Sequence, residues 1–227
     1  GGCAVNPSLS APNALLVAWP SPTFGGYRFL HDARGEAREA FAPSGAAPGF
    51  GAVALAVGSA VEGERPPVRA AWVDAADGRT VIRVADPERL TAELPGEPAA
   101  PRTAHFPGSR GSIGWIAAAR TAEGKLGVAW DDEMSGKRVR AAWVSEENPG
   151  EPTAAEILEV SDPAMYCEGV RSTVDGSALW LGFTCCPPEQ FCITQRPYAA
   201  VWSPGEPLHP SPLSPIGNCL RASARKR

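Results

Sequence analysis

Residues 114–145 read GWIAAARTAEGKLGVAWDDEMSGKRVRAAWVS, and this stretch decides the fold because it recurs along the chain. Residues 51–86, GAVALAVGSAVEGERPPVRAAWVDAADGRTVIRVAD, show the same order: an apolar run, an x-Glu-Gly turn, a run ending in Ala-Trp, an acidic turn and a third run. Three residue pairs align at one offset of 58 residues: Trp72 with Trp130, Gly78 with Gly136, and Val81 with Val139. Repetition of this kind indicates an array of similar structural units.

Two weaker copies complete the series, at residues 14–19 and 167–202. The aromatic residue that ends the second run recurs at four positions: Trp19, Trp72, Trp130 and Phe183. A period of about 50 residues with three or four strand-like runs is typical of a β-propeller blade. Fourth strands are expected at residues 156–160 and 90–94, and near 38–42 and 206–213. The sequence therefore predicts an all-β propeller of about four blades over residues 1–220, followed by a basic, flexible tail, 221–227.

Composition agrees with many short strands joined by turns. Gly and Pro number 24 each, too many for a helical protein of 227 residues. The net charge of −4 shows no basic excess, so no nucleic-acid partner is expected. No apolar run reaches 18 residues, so no transmembrane segment is expected either.

Six cysteines, an even number, predict disulfides: Cys3, Cys167, Cys185, Cys186, Cys192 and Cys219. Disulfides imply an oxidising compartment, so we expect the protein outside the cell or in the cell envelope. Of the adjacent pair Cys185 and Cys186, we expect one to bond Cys192 and the other Cys167. Gly1-Gly2-Cys3 is also similar to the end of a bacterial lipoprotein signal, which leaves a lipid anchor at Cys3 open.

The repeat resembles those of secreted bacterial propellers of the sialidase or BNR kind. The resemblance is carried by AEGKLGVAW at 122–130 and VDGSALWLGF at 174–183, where an acidic-Gly turn precedes an aliphatic and aromatic strand. An Asp-box of that family reads Ser-x-Asp-x-Gly-x-Thr-Trp, and the turn at 173–176 lacks the spacer before its Gly. No catalytic residue of the family is carried over.

The closed architecture is suggested by a second likeness. Cys3 near the start and Cys219 near the end are placed as in hemopexin-like four-bladed domains, where a terminal disulfide closes the ring. This likeness implies a Cys3–Cys219 bond. A piece of a longer propeller is the alternative.

Candidate ligand-binding residues fall at two places in the repeat. Trp72 and Trp130 would stack on sugars, or else pack between blades. The loops after the second run carry acidic residues, which would bind a ligand or calcium, or else form ordinary acidic turns: Asp74, Asp131, Asp132 and Glu133. No catalytic motif is found, and no cofactor other than calcium is considered.

The main functional prediction is a secreted or cell-surface, non-enzymatic module that binds protein or glycan. One alternative is a sialidase-like, carbohydrate-active enzyme with its acidic loops at the site. The other is a structural subunit of an extracellular assembly, which predicts contacts along exposed edges.

Overall fold

Each copy of the repeat forms an antiparallel sheet of four strands in a computed structural model of the chain. The structure describes residues 4–7, 15–21, 23, 25–33, 36–46, 52–58, 68–76, 79–86, 104–107, 113–121, 123–132, 137–144, 158–190, 195–203 and 209–212. Within them no helix has the length and hydropathy that a bilayer crossing requires.

The four sheets are here called blades 1 to 4. Blade 1 contains β1 (Ala4–Pro7), β2 (Leu15–Ser21), β3 (Gly26–Ala33) and β4 (Glu36–Pro43). Blade 2 contains β5 (Val53–Val57), β6 (Val68–Ala76), β7 (Arg79–Ala85) and β8 (Ala104–Pro107). Blade 3 contains β9 (Ile113–Arg120), β10 (Leu126–Asp132), β11 (Arg138–Val144) and β12 (Leu158–Glu159). Blade 4 contains β13 (Tyr166–Asp175), β14 (Ala178–Cys186), β15 (Arg196–Trp202) and β16 (His209–Pro212).

The strands of every blade pair in chain order, as in a meander. The first strands of consecutive blades lie against each other: β1 against β5, β5 against β9, and β9 against β13. This is the arrangement of inner strands in a propeller. The all-β prediction is therefore confirmed, and the described residues form four sheets in the order of the repeat, with no strand pairing that closes them into a ring.

The recurring aromatic residues pack each blade on the blade before it. Trp72 is 1% exposed and meets Phe29 of blade 1 edge-on, with ring centroids 6.1 Å apart. Trp130 is fully buried in a cluster shared with blade 2, and Phe183 lies in a cluster shared with blade 3. In a fold built of sheets, each sheet buries its face against the next sheet, and these rings lie in that contact.

The predicted fourth strands are confirmed in three blades. β4, β12 and β16 overlap the predicted segments. In blade 2 the strand that pairs with β7 is β8 (Ala104–Pro107), and the predicted segment 90–94 lies outside the described residues. The residues between the predicted and observed strands hold three prolines, which cannot donate to a ladder.

One predicted disulfide is confirmed. Cys167 and Cys185, register partners on β13 and β14, are bonded with Cα atoms 4.1 Å apart. Cys186 is also disulfide-bonded, with a partner outside the described residues. Cys3, Cys192 and Cys219 lie outside the described residues, as does the predicted tail, so a Cys3–Cys219 bond and a lipid anchor stay predictions.

Blades 3 and 4 are closely packed at Gly127. A Cβ atom added there would come within 2.6 Å of Leu179 Cδ2 and 3.2 Å of the Trp143 ring. Gly182 on β14 is also a mid-strand glycine, but its added Cβ would meet nothing within 4 Å. The two glycines form a matched pair for substitution, because a side chain has no space at Gly127 and free space at Gly182.

We expect Gly127→Ala to destabilise the protein by about 1–3 kcal/mol, the usual cost of overpacking a core. Gly182→Ala should change stability by less than about 0.5 kcal/mol or raise it slightly, because its Cβ has free space. Urea unfolding of both variants measures the difference. Equal midpoints for the two variants would contradict the close packing of blades 3 and 4.

Candidate functional site

One end of the blades gathers the acidic turns that the sequence analysis selected, and it is here called the loop face. The β6–β7, β10–β11 and β14–β15 connections leave the blades at this end, and β5, β9 and β13 begin there because neighbouring strands are antiparallel. The loop face is therefore where side chains from different blades meet.

Asp74 lies at this end of β6 but is 5% exposed. Its Oδ1 accepts hydrogen bonds from the backbone N–H groups of Gly45 (2.6 Å) and Ala75 (2.7 Å), and its Oδ2 is paired with Arg83 Nε. Gly45 belongs to the connection from blade 1. Asp74 thus ties blade 2 to the end of blade 1, and its carboxylate is already bonded within the protein.

Asp131 does the same between blades 3 and 4. Its Oδ1 accepts the backbone N–H groups of Gly114 (2.9 Å) and Trp115 (2.7 Å), and its Oδ2 accepts that of Gly169 (2.9 Å). The side chain is 2% exposed. One buried carboxylate therefore holds the start of β9 beside the start of β13. Its neighbour Asp132 is fully buried, with Oδ2 3.4 Å from Arg140 Nη1.

The predicted ligand-binding residues are placed inside the protein: Trp72, Trp130, Asp74, Asp131 and Asp132. The two rings fill the space between blades, and the carboxylates are held by backbone N–H groups or arginines. Their role is corrected to packing and tethering, because none presents a surface to a ligand. Glu133 lies outside the described residues. Among the residues described, no group of three or more His, Cys, Asp or Glu side chains is placed to hold a metal ion.

An aromatic residue outside the repeat register is exposed instead. Trp115, near the start of β9, is 39% exposed. The Arg171 guanidinium of β13 lies over its ring, 4.2 Å from the centroid. Val53 pairs with Trp72 as Ile116 pairs with Trp130, so Trp115 stands where blade 2 has Ala52. A tryptophan at a position where another copy of the repeat has alanine could have indicated an exposed site, but the sequence analysis did not select it.

The strand β13, which carries Arg171, also carries an exposed carboxylate. Glu168 of β13 places Oε2 2.9 Å from Lys137 Nζ, and its Oε1 accepts a hydrogen bond from Gln195 Nε2 at 3.0 Å. The Glu168 side chain is 38% exposed and that of Lys137 44%. Glu168 directly precedes Gly169, which Asp131 holds beside Trp115. Glu168 lies three residues before Arg171 on β13, at the end of the strand that Asp131 holds beside β9.

Five side chains thus form what is here called the β9–β13 cluster: Trp115, Lys137, Glu168, Arg171 and Gln195. The cluster presents an aromatic ring, two cations, one carboxylate and one amide. An aromatic ring stacks on apolar faces, whereas arginine, lysine and amide groups bond hydroxyl and carboxylate oxygens. A reachable carboxylate is able to transfer protons.

Comparison with models of protein families finds no match, and comparison with curated proteins finds none. Eight chains of solved structures match. One is a GH43 endo-arabinanase from Bacillus licheniformis, with a TM-score of 0.44 and 11% identity over 88% of this chain and 70% of that chain.

The prediction of a non-enzymatic binding module is corrected, because the described residues on which it depended are buried in the blades: Trp72, Trp130, Asp74, Asp131 and Asp132. The confirmed disulfide is consistent with the predicted oxidising compartment.

Proposed function

We propose that the protein is a carbohydrate-active enzyme whose substrate binds at the β9–β13 cluster. The observation that carries the proposal is the exposed Trp115 ring with the Arg171 guanidinium over it, on the strand pair β9–β13 that also carries the accessible Glu168 carboxylate. Action outside the cell, on glycans, belongs to the same proposal. The disulfide between Cys167 and Cys185 supports an oxidising compartment.

Binding is assigned to the ring and the cations. Arg171 covers part of the Trp115 ring, and Trp115 is still 39% exposed with Arg171 in this position. A sugar that stacks on the remaining ring surface has the guanidinium beside it. Arginine N–H groups pair best with carboxylate oxygens, which favours carboxylate-bearing sugars over neutral ones.

Proton transfer is assigned to Glu168. Its two oxygens are oriented by Lys137 and Gln195 from different sides, so the carboxylate is held in one position while remaining open to solvent. A fixed carboxylate at the edge of a sugar site serves as general acid or base for cleaving a glycosidic bond. The proposal covers hydrolysis and elimination, which differ in their products.

The first experiment is a panel of neutral and carboxylate-bearing glycans incubated with the whole chain. Hydrolysis is followed by new reducing ends and elimination by the ultraviolet absorbance of unsaturated products. Turnover of at least one carboxylate-bearing glycan is the expected result. An inactive wild-type protein across a broad panel would sink the proposal.

Trp115→Ala is expected to raise KM for the active glycan by about tenfold, since an aromatic contact is worth about 0.5–1.5 kcal/mol beyond its buried area. The matched control is Trp180→Ala, which removes another exposed tryptophan, on β14, that is not a member of the cluster. KM should be unchanged in that control. Equal effects of the two changes on KM would exclude Trp115 as the sugar contact.

A further inference from the structure

Lys137, just before β11, has a strained backbone conformation. Its φ is 55°, and among the residues that the structure describes it is the one non-glycine residue with a positive φ. A residue with a Cβ in this left-handed region crowds a neighbouring carbonyl oxygen, which lowers the ratio of folded to unfolded protein by a factor of about 5–30. Such strain persists only where the surrounding structure holds the residue, and it is concentrated at functional sites.

Two contacts with β13 hold Lys137 in this conformation. Its carbonyl oxygen accepts a hydrogen bond from the backbone N–H of Cys167, and its ammonium group donates one to Glu168 Oε2 at 2.9 Å. Cys167 is fully buried and disulfide-bonded to Cys185. The main chain and the side chain of Lys137 thus contact two consecutive residues of β13, the first of which is fixed in the core.

The gain in stability from the ion pair does not exceed the cost of the strain. The Lys137 and Glu168 side chains are 44% and 38% exposed, and an exposed pair raises the ratio of folded to unfolded protein by a factor of about five at most. A glycine at position 137 would retain the carbonyl oxygen that Cys167 contacts and would avoid the strain. What lysine adds at this position is a hydrogen-bond donor for the Glu168 carboxylate.

The next residue directs its charge to a different strand. Arg138 is the first residue of β11, and its Nη1 lies 2.8 Å from Glu159 Oε1 on β12. Lys137 and Arg138 are consecutive cations of similar exposure, yet only Lys137 reaches β13. Arg138 therefore offers a matched control for removing a positive charge at this end of β11.

We propose that Lys137 is a positioning residue for Glu168, and that its strained backbone fixes the ammonium group on one carboxylate oxygen. The inference rests on the proposed function, in which Glu168 transfers the proton. Gln195 Nε2 donates to the other carboxylate oxygen at 3.0 Å, and Thr184 Oγ1 donates to the Glu168 carbonyl oxygen at 3.3 Å. A carboxylate offers about four lone-pair sites, so two of them stay available for the substrate.

Stability is the first test, with Lys137→Gly and Lys137→Ala as a matched pair. Both changes remove the ammonium group, and only glycine relieves the strain. In urea unfolding, the glycine variant should have a ratio of folded to unfolded protein about threefold higher than the alanine variant, after allowance for the greater freedom of glycine in the unfolded chain. A glycine variant that is no more stable than the alanine variant would overturn the strain.

Activity is the second test. On the active glycan, Lys137→Gly and Lys137→Ala should both lower kcat by about 10- to 100-fold, the cost of misplacing a reacting group by about 1 Å. KM should change little, because Lys137 acts through Glu168 and not on the substrate. Lys137→Arg retains a cationic donor and should recover part of the loss, and Arg138→Ala should keep the wild-type kcat.

The outcomes separate this inference from the proposed function. Wild-type kcat in Lys137→Gly overturns the positioning role while the proposed function stands, since turnover by the wild type is measured beside it. A change confined to KM overturns it as well, because Lys137 would then contact the substrate. A wild type that is inactive on every glycan overturns the proposed function and this inference together. Circular dichroism of each variant shows whether it is folded.

Discussion

Glu168→Gln is expected to lower kcat on the active glycan by about 100- to 10,000-fold, the usual contribution of a positioned general acid or base. The glutamine keeps the size of the side chain and one oxygen but does not ionise. Binding through Trp115 and Arg171 is retained, so KM should change little. A loss confined to kcat, with kcat/KM falling equally, is the signature of an interaction made in the transition state.

Stability should be nearly unaffected by the same change. The Lys137–Glu168 pair is about 40% exposed on both sides, and such pairs contribute at most about 1 kcal/mol. The matched control is Glu159→Gln on the outer strand β12, which removes the charge from a 2.8 Å pair with Arg138 that is somewhat less exposed. Full activity of Glu168→Gln, or an equal loss in Glu159→Gln, would remove Glu168 from the proposed chemistry.

Asp131→Ala is expected to destabilise the protein by about 3–5 kcal/mol, because it removes a buried charged acceptor and leaves its N–H partners unpaired. Three backbone donors are affected, those of Gly114, Trp115 and Gly169. They belong to β9 and β13, so blades 3 and 4 should separate more readily at the loop face. Urea unfolding followed by circular dichroism measures the loss.

Two variants show whether the effect comes from the tether. Asp131→Asn keeps one acceptor oxygen and should lie between wild type and alanine. Asp162→Ala removes a carboxylate that also accepts a backbone N–H, from Ala164 at 2.8 Å, but at an exposed site. It should cost at most about 1 kcal/mol, the net worth of an ordinary hydrogen bond. Similar losses for Asp131→Ala and Asp162→Ala would show that Asp131 is no tether.

The repeat made the blades predictable. Near-continuous apolar runs ending at or near Trp72, Trp130 and Phe183 placed the second strand of three blades, since a strand buried on both faces carries such a run. The third and fourth strands followed by position in the period, except β8, where a long proline-containing connection interrupts the spacing. The spacing of the cysteines predicted that either Cys185 or Cys186 bonds Cys167. The structure shows that it is Cys185, which is the register partner of Cys167.

The site was not predictable in the same way. Asp74 and Asp131 look like solvated turn residues in the sequence, because nothing local shows that Gly45 or Gly169 of another blade supplies an N–H to them. Trp115 and Arg171 are far apart in sequence and meet only because β9 and β13 lie side by side.

By itself, the sequence determined the all-β class and where the repeated strands lie, since these depend on local apolar runs and on the period. Only the tertiary structure decided which carboxylates are buried as tethers and that Trp115 and Arg171 meet. The physical reason is that burial and pairing of a side chain depend on neighbours from other blades, whose distances are not encoded in any one segment.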